Sequence, residues 1–276
     1  MQQPRRWFIT GASTGFGRVL ARRAVAQGDK VVGTVRSAAL VDELAVEGII
    51  GVLLDVTDRA RIQPAIDEAI AAMGGIDVLV NNAGYGLMGA IEAFDETAIR
   101  DQMEANFFGT LNVTRAALPD MRGHGGTIVF ILSMAGVVGM AGAGAYCASK
   151  FAMEGLAEAL SAELAVFGIK VMIVEPSSFR TDFHGRSMHT TPVVLDEYRG
   201  TQAGDVNDLL VNYRNNEAGD PEKGISVIMD ALNADEMPLR LPLGADAVHA
   251  IEAKHRKLLA ELETWKAAAI ATAVDR

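Results

Sequence analysis

Short, near-continuous runs of Val, Ile and Leu recur along this chain, each followed by a stretch with helical patterning. The runs fall at 7–9, 30–35, 49–54, 76–80, 127–132, 170–174 and 239–243. They do not alternate apolar with polar residues, as a strand with one wet face does. Continuous apolar strands belong to parallel sheets covered on both faces. Parallel neighbours need long crossovers, and the intervening segments supply helices. These are expected at 18–27 (ended by Gly28), 38–46, 59–73 (closed by Gly74 and Gly75), 97–121, 145–167 (ended by Gly168), 221–232 and 245–271. The pattern predicts an α/β fold, a doubly wound parallel sheet of about seven strands flanked by helices.

The length of 276 residues admits one large α/β domain or two small ones. No linker, repeat or low-complexity tract divides the chain, so 1–276 is read as one domain. Residues 183–220 stand out as polar, glycine-containing and poor in strand signal. The net charge of −10, with no basic stripe, argues against nucleic acid or an anionic membrane as partner. The single cysteine, Cys147, excludes an internal disulfide framework and a multi-cysteine metal site, and is expected to be a small buried filler. Residues 1–7 lack the apolar stretch of a signal peptide. No run reaches the ~18 apolar residues of a membrane span. A soluble, cytoplasmic protein is the expectation.

Between the first strand and the first helix lies Thr10-Gly11-Ala12-Ser13-Thr14-Gly15-Phe16-Gly17. Glycines there let the backbone turn tightly and approach a pyrophosphate, and the helix start offers N–H donors and a favourable dipole. The hydroxyls of Ser13 and Thr14 add possible phosphate contacts. Further on, Tyr146 and Lys150 sit four residues apart, with Ser133 thirteen residues upstream of Tyr146. Residues four apart share a helix face, which sets the ammonium beside the phenol. A nearby cation lowers a phenol's pKa from about 10 by roughly 1–3 units. That is the range in which a tyrosine exchanges protons efficiently.

Together these motifs resemble the short-chain dehydrogenase/reductase family over nearly the whole chain. T-G-x-x-x-G-x-G occupies 10–17, N-N-A-G occupies 81–84, Asn106 lies in the long helix, Ser133 and Y-x-x-x-K follow, and Pro176 to Thr181 matches P-G-x-x-x-T with Ser177 in place of the usual glycine. The resemblance implies a Rossmann-like fold, a nicotinamide cofactor and a hydroxyl or carbonyl substrate. Tyr146 would then donate or remove the substrate proton. Lys150 would lower its pKa and bond the nicotinamide ribose, Ser133 would bond the substrate oxygen, and Asn106 would hold a relay water. The cofactor would lie on Gly11, Ser13, Thr14, Gly15, Phe16 and Gly17. Asp55 and Val56 would meet the adenine, Asn82, Ala83 and Gly84 the adenosine ribose, and Pro176 and Thr181 the nicotinamide, beside Tyr146 and Lys150.

At the end of the second strand an NAD enzyme carries a carboxylate for the ribose 2′-hydroxyl. This chain has Val35 there and Arg36 beside it. A guanidinium suits a 2′-phosphate, so NADP(H) is favoured over NAD(H). Phe179, Phe183, Met188, Val193, Leu195 and Tyr198, with Leu87, Met88, Val137, Val138 and Met140, are candidates for an apolar substrate pocket. His184 and His189 are expected to be solvated loop residues. The reading is an alcohol dehydrogenase or carbonyl reductase. The alternatives are an NAD(H)-dependent hydroxysteroid- or retinol-like dehydrogenase, a nucleotide-sugar epimerase or dehydratase, and a non-catalytic NADP-binding protein. The chemistry needs no metal. Small residues Ala148, Ala152, Gly155 and Ala159 along the second long helix, with family precedent, suggest a homodimer or homotetramer.

Overall fold

Each of the seven apolar runs becomes a strand. A computed structural model describes residues 3–208, 210–211 and 217–274. Strands β1 (Arg6–Ile9), β2 (Lys30–Val35), β3 (Ile50–Leu53) and β4 (Val78–Asn81) are followed by a short β5 (Gly86–Met88). Then come β6 (Gly126–Ile131), β7 (Ile169–Pro176), a short β8 (Met188–Thr190) and β9 (Arg240–Leu243). The main sheet has the order β3-β2-β1-β4-β6-β7-β9, and every pairing in it is parallel. The fold is Rossmann-like. The chain order reverses between β1 and β4, and in such sheets a crevice opens there, outside the carboxyl ends of the strands.

Side chains alternate across each strand, and here both faces are dry. On β1, Phe8 joins Ile66, Leu79 and Phe130 in one core, while Trp7 and Ile9 join Leu20, Val31 and Val80 in the other. The first core is roofed by helices α3 (Arg59–Met73), α5 (Thr110–Met121) and α6 (Gly144–Leu164). The second lies under α1 (Gly15–Ala26), α2 (Ala38–Val46) and the helix Pro221–Leu232. Local chemistry sets the ends. Asp58 caps α3 by accepting from the N–H groups of Ala60 and Arg61, and Gly74 closes it at φ 87°, where glycine carries no steric cost.

Two expectations need correction. The helix expected over 97–121 is three segments: α4 (Glu96–Met103), a π-helical turn (Glu104–Gly109) and α5. A π turn carries one extra residue per turn and recurs at functional sites. Also, β5 and β8 pair in parallel as a separate two-stranded sheet, which the sequence reading missed. Within 183–220 the chain forms a short helix α7 (Phe183–Arg186), β8 and a 3₁₀ turn at Asp196–Tyr198. Residues 209 and 212–216 of that stretch lie outside the described residues.

The first strand is tied down by Asp29. Its carboxylate accepts from the indole N–H of the fully buried Trp7 (2.8 Å), from the Arg5 amide (2.9 Å) and from the Arg5 guanidinium (3.3 Å). Removing an acceptor from a buried donor costs about 1–3 kcal/mol. Asp29→Ala is therefore expected to lower stability by about that amount in urea melts, with Trp7 emission reporting the transition. An unchanged midpoint would contradict this account.

Candidate active site

Thr10 follows β1 and organises the crevice. Its hydroxyl accepts from the amides of Asn82 (2.9 Å) and Ala83 (3.0 Å), beyond the end of β4. The Asn82 side-chain amide donates back to the carbonyls of Thr10 (2.9 Å) and Gly11 (3.0 Å). A Cβ on Gly17 would sit 2.5 Å from both that amide nitrogen and the Gly11 carbonyl oxygen, so only glycine fits there. Asn82 thus spends its side chain bracing the glycine loop. Thr14 stands at the N-cap of α1 without a side-chain cap bond, which leaves first-turn N–H donors at the crevice.

The crevice has a volume of about 1430 Å³. Gly11, Ser13, Thr14, Gly15 and Phe16 line it, with Asn82, Ala83 and Gly84. Arg36 stands exposed at the end of β2, making no ion pair among the described residues, and lines the crevice with Asp55 and Val56. Asp55 is oriented by the backbone N–H (2.9 Å) and hydroxyl (2.7 Å) of Thr57. Ser133, Tyr146, Lys150, Pro176 and Thr181 line it as well. Thr181 stands over the loop, its Cβ 3.5 Å from where a Cβ of Gly15 would be. Phe16 and Phe179 pack edge to face at 4.9 Å between centroids. The crevice thus brings together every residue expected to act in catalysis or hold the cofactor except Gly17 and Asn106, which do not line it.

Ser133 follows β6 by two residues and caps the short turn Met134–Gly136. Its hydroxyl accepts from the Ala135 amide (3.1 Å) and donates to the Pro176 carbonyl (3.4 Å). Tyr146 and Lys150 share one face of α6, and Lys150 Nζ lies 5.7 Å from the centre of the Tyr146 ring. The ammonium donates to the Ile131 carbonyl (3.2 Å). Asn106, in the π turn, donates through Nδ2 to the Tyr85 carbonyl (2.8 Å) and to Ser149 Oγ (3.0 Å), and accepts from the Tyr85 amide (3.0 Å). A Cβ on Gly84 would meet Asn106 Oδ1 at 3.0 Å and Lys150 Nζ at 3.9 Å. The ammonium and the asparagine therefore flank one glycine. At the altered position Ser177, the hydroxyl fills the space over Gly244, whose φ of 89° only glycine adopts freely.

The charges are balanced by burial. Lys150 is pulled down to about 8 by desolvation, and the carboxylate of Glu154, one turn along α6, opposes that. Tyr146 moves opposite to the sequence expectation. Burial raises its pKa well above the ordinary phenol value, and a hydrogen bond with Ser133 opposes the rise. Glu154 is pushed up to about 7, first by burial and then by the charge of Glu175, with Arg240 pulling it down. Arg240 approaches Glu154 (3.5 Å) and Glu175 (3.6 Å) and bonds Glu158 (2.7 Å).

Of the apolar candidates, Met88, Met140, Phe179, Phe183 and Met188 line the crevice, while Leu87, Val137, Val138, Val193, Leu195 and Tyr198 do not. Phe183 packs on Tyr146 at 6.0 Å between centroids. His184 is not a solvated loop residue, whereas His189 is exposed as expected but sits in β8. Both line the crevice, and the buried His184 meets Glu217 at 2.6 Å. Tyr85, Asp101 and Glu104 also line it and were missed. Asp101 and Glu104, three apart ahead of Asn106, were a legible signal of one polar helix face.

Residues 6–191 match the family described as short chain dehydrogenase. The oxidoreductase BOA17 of Botryotinia fuckeliana is 36% identical over 272 residues, covering 97% of this chain and 98% of that protein. A 3-ketodihydrosphingosine reductase of Bacteroides thetaiotaomicron is 42% identical over 182 residues, 66% of each. A short-chain dehydrogenase structure from Streptomyces avermitilis has a TM-score of 0.90 at 40% identity, covering 99% of both chains. Two Burkholderia structures of the same class hold different dinucleotides. That of B. phymatum, with NAD, has a TM-score of 0.80 at 25% identity over 94% of this chain and 95% of its own. That of B. cenocepacia, with NADP, has 0.72 at 26% over 95% and 99%.

The depressed Lys150 has a testable sign. Its folded-state pKa of about 8 lies below the unfolded value, so charging it costs stability at neutral pH. The cost fades as pH rises from about 8 toward 10.4. A depression of this size corresponds to roughly 3 kcal/mol as an upper bound. Lys150→Met is expected to melt a few degrees higher than wild type at pH 7, about 2–4 °C per kcal/mol for a chain of this size. The gap should shrink by pH 10. A lower melting point for the variant at pH 7 would contradict it.

Proposed function

The chain belongs to the short-chain dehydrogenase/reductase family and is an oxidoreductase of that family, and from that premise we propose that it interconverts an alcohol, a secondary alcohol above all, and its carbonyl compound with NADP(H). What carries the reading is one juxtaposition. Tyr146, Ser133 and Lys150 stand together in the crevice that the glycine loop and Arg36 also line. The residues present fit a dinucleotide. The uncapped start of α1 offers N–H donors for a pyrophosphate. When bound, the nicotinamide supplies or takes up the hydride.

The chain's own residues handle the proton. In reduction Tyr146 gives its phenolic proton to the carbonyl oxygen, and in oxidation it removes the hydroxyl proton. Ser133 donates to the same oxygen and stabilises the charge that develops there. Lys150, kept dry beside the ring, favours the phenolate and offers donors to the nicotinamide ribose. Asn106 orders the Tyr85 backbone and Ser149 on the far side of the lysine and is read as the relay residue. Gly11, Ser13, Thr14, Gly15, Phe16, Gly17 and Thr181 are read as the phosphate and nicotinamide cradle, with Asp55 and Val56 at the adenine.

Family members with NAD and with NADP are both known from the Burkholderia structures. The preference for NADP rests on Arg36, exposed at the crevice, beside Val35 in place of an acid. An apolar carbonyl substrate is supported by Met88, Met140, Phe183 and Met188 near Tyr146. It is also supported by a relative named for a keto substrate. We read 1–276 as a single domain in which 183–220 covers the substrate. We further read the protein as cytoplasmic and as a homodimer or homotetramer through α5 and α6, where Phe108, just before α5, and Phe151 are exposed. No helix among the described residues is long and apolar enough to cross a membrane.

Two substitutions test this. Tyr146→Phe is expected to cut NADPH oxidation with a ketone panel by about 10²–10⁴-fold without unfolding, and retained turnover would refute the acid/base role. Arg36→Ala is expected to raise the NADPH KM by about tenfold or more, the worth of a charge-assisted contact, and to leave NADH nearly unchanged. Equal effects on both cofactors would remove the NADP assignment.

A further inference from the structure

Two buried acids, Glu154 and Glu175, stand outside the crevice. Glu154 lies one turn along α6 from Lys150, and Glu175 lies on β7. The Glu175 side chain is 1% exposed and that of Glu154 is 9% exposed. All four of their carboxylate oxygens are buried without a hydrogen-bond partner among the described residues. Buried carboxylates are ordinarily paired and hydrogen-bonded, because leaving water is costly for the charged form. These two are neither.

Arg240, on β9, approaches Glu154 (3.5 Å) and Glu175 (3.6 Å), but its hydrogen bond goes to the exposed Glu158 (2.7 Å). From the terminal helix Ala245–Ile270, His255 faces Glu175, with its Nδ1 2.9 Å from the Ile251 carbonyl. Three carboxylates thus compete for one guanidinium. Two dry carboxylates about one shared cation repel each other, and binding a proton relieves the repulsion. Burial first, then the charge of Glu175, brings the ionisation of Glu154 to about 7.

Glu154 also belongs to the row of reacting groups. Residues four apart share a helix face, so Tyr146, Lys150 and Glu154 follow one another along α6. A Cβ on Gly136 would sit 2.9 Å from Glu154 Cγ and 3.3 Å from the Lys150 carbonyl oxygen. The acid therefore lies against the turn Met134–Gly136 that Ser133 caps. Around the ammonium, Asn106 and the Ile131 carbonyl bring no charge, and Tyr146 stays a neutral phenol near pH 8. Glu154 is the charge that opposes the desolvation of Lys150.

We propose that Glu154 is a positioning residue: it shares one proton with Glu175 at neutral pH and, once ionised, holds the Lys150 ammonium in its charged form beside Tyr146. This rests on the roles proposed above for Tyr146 and Lys150. The order of the two ionisations suits it. Glu154 gives up its proton at about 7 and Lys150 at about 8, so the carboxylate is charged where the ammonium begins to discharge.

Two measurements test it. Just below about pH 7, where ordinary carboxyls are ionised, infrared spectra of wild type should show the carbonyl stretch of a protonated carboxylic acid. It should fade above about 7 and be missing in Glu154→Gln. In ketone reduction at saturating NADPH, the alkaline limb of kcat/KM should move down by roughly one unit in Glu154→Gln, the effect of losing a neighbouring opposite charge. It should stay in place in Glu154→Asp, which keeps the charge, and in Glu175→Gln, whose Glu154 is ionised in that range. No such stretch in wild type, an unmoved limb in Glu154→Gln, or an equal displacement in Glu175→Gln would overturn the assignment. So would a Glu154→Gln chain that fails to fold, which would make the acid a core residue alone. The infrared signal needs no turnover, so it persists if only the Tyr146 role fails.

Discussion

A lysine ammonium held almost out of water is the constraint around which the Tyr146 side of the crevice is built. Lys150 is 7% exposed, its pKa pulled down to about 8 by that burial. It survives there because several elements are arranged around it. The end of β6 offers the Ile131 carbonyl, α6 offers Glu154 one turn away, and the chain after β4 runs past as Gly84, where a side chain would crowd both the ammonium and Asn106. Desolvating a cation is expensive unless it is paired and hydrogen-bonded. A fold that keeps one in place is using stability to hold a charge beside the phenol of Tyr146.

The rest of the crevice follows from sheet topology. Parallel strands deliver their carboxyl ends to one edge, and the reversal of order between β1 and β4 opens a gap there. The loops after β1 and β4 are locked to each other through Thr10 and Asn82, so the glycine loop is rigid before any ligand arrives. The loop after β7 crosses above it, with Phe179 on Phe16 and Thr181 over Gly15. The charges divide between exposed and buried. Arg36 stands exposed at the crevice, and Lys150, Glu154 and Glu175 are buried with Tyr146.

Much of this was legible in the residues. The seven strands announced themselves because strands buried on both faces have few polar choices, and every one formed within a few residues of its run. The glycine loop, Ser133, Tyr146 and Lys150 were legible because each needs a particular residue type at a fixed spacing. Other features were not. β5 and β8 are three residues each and lie about a hundred residues apart, so neither has a period to read and their pairing is non-local. The π turn that presents Asn106 interrupts a stretch whose apolar spacing still reads as helix. The His184–Glu217 contact joins residues 33 apart in a segment without strand or helix signal. The direction of the Tyr146 pKa was misread because spacing reveals the neighbouring cation and not the depth of burial.

That last point bears on the central proposal, that Tyr146 acts as the acid/base group and that in the oxidative direction a second positive charge joins Lys150 in easing its ionisation. In the free protein burial dominates and the phenol is held up. An oxidised nicotinamide ring beside it would add a cation, and a cation within a few ångströms lowers such a group by roughly 1–3 units. The direct measurement is the ultraviolet tyrosinate titration of Tyr146, taken as the difference between wild type and Tyr146→Phe, with and without saturating NADP⁺. The account predicts an ionisation above the ordinary phenol range in the free protein that falls by at least about one unit with the dinucleotide. An ionisation that stays in place on binding would contradict it.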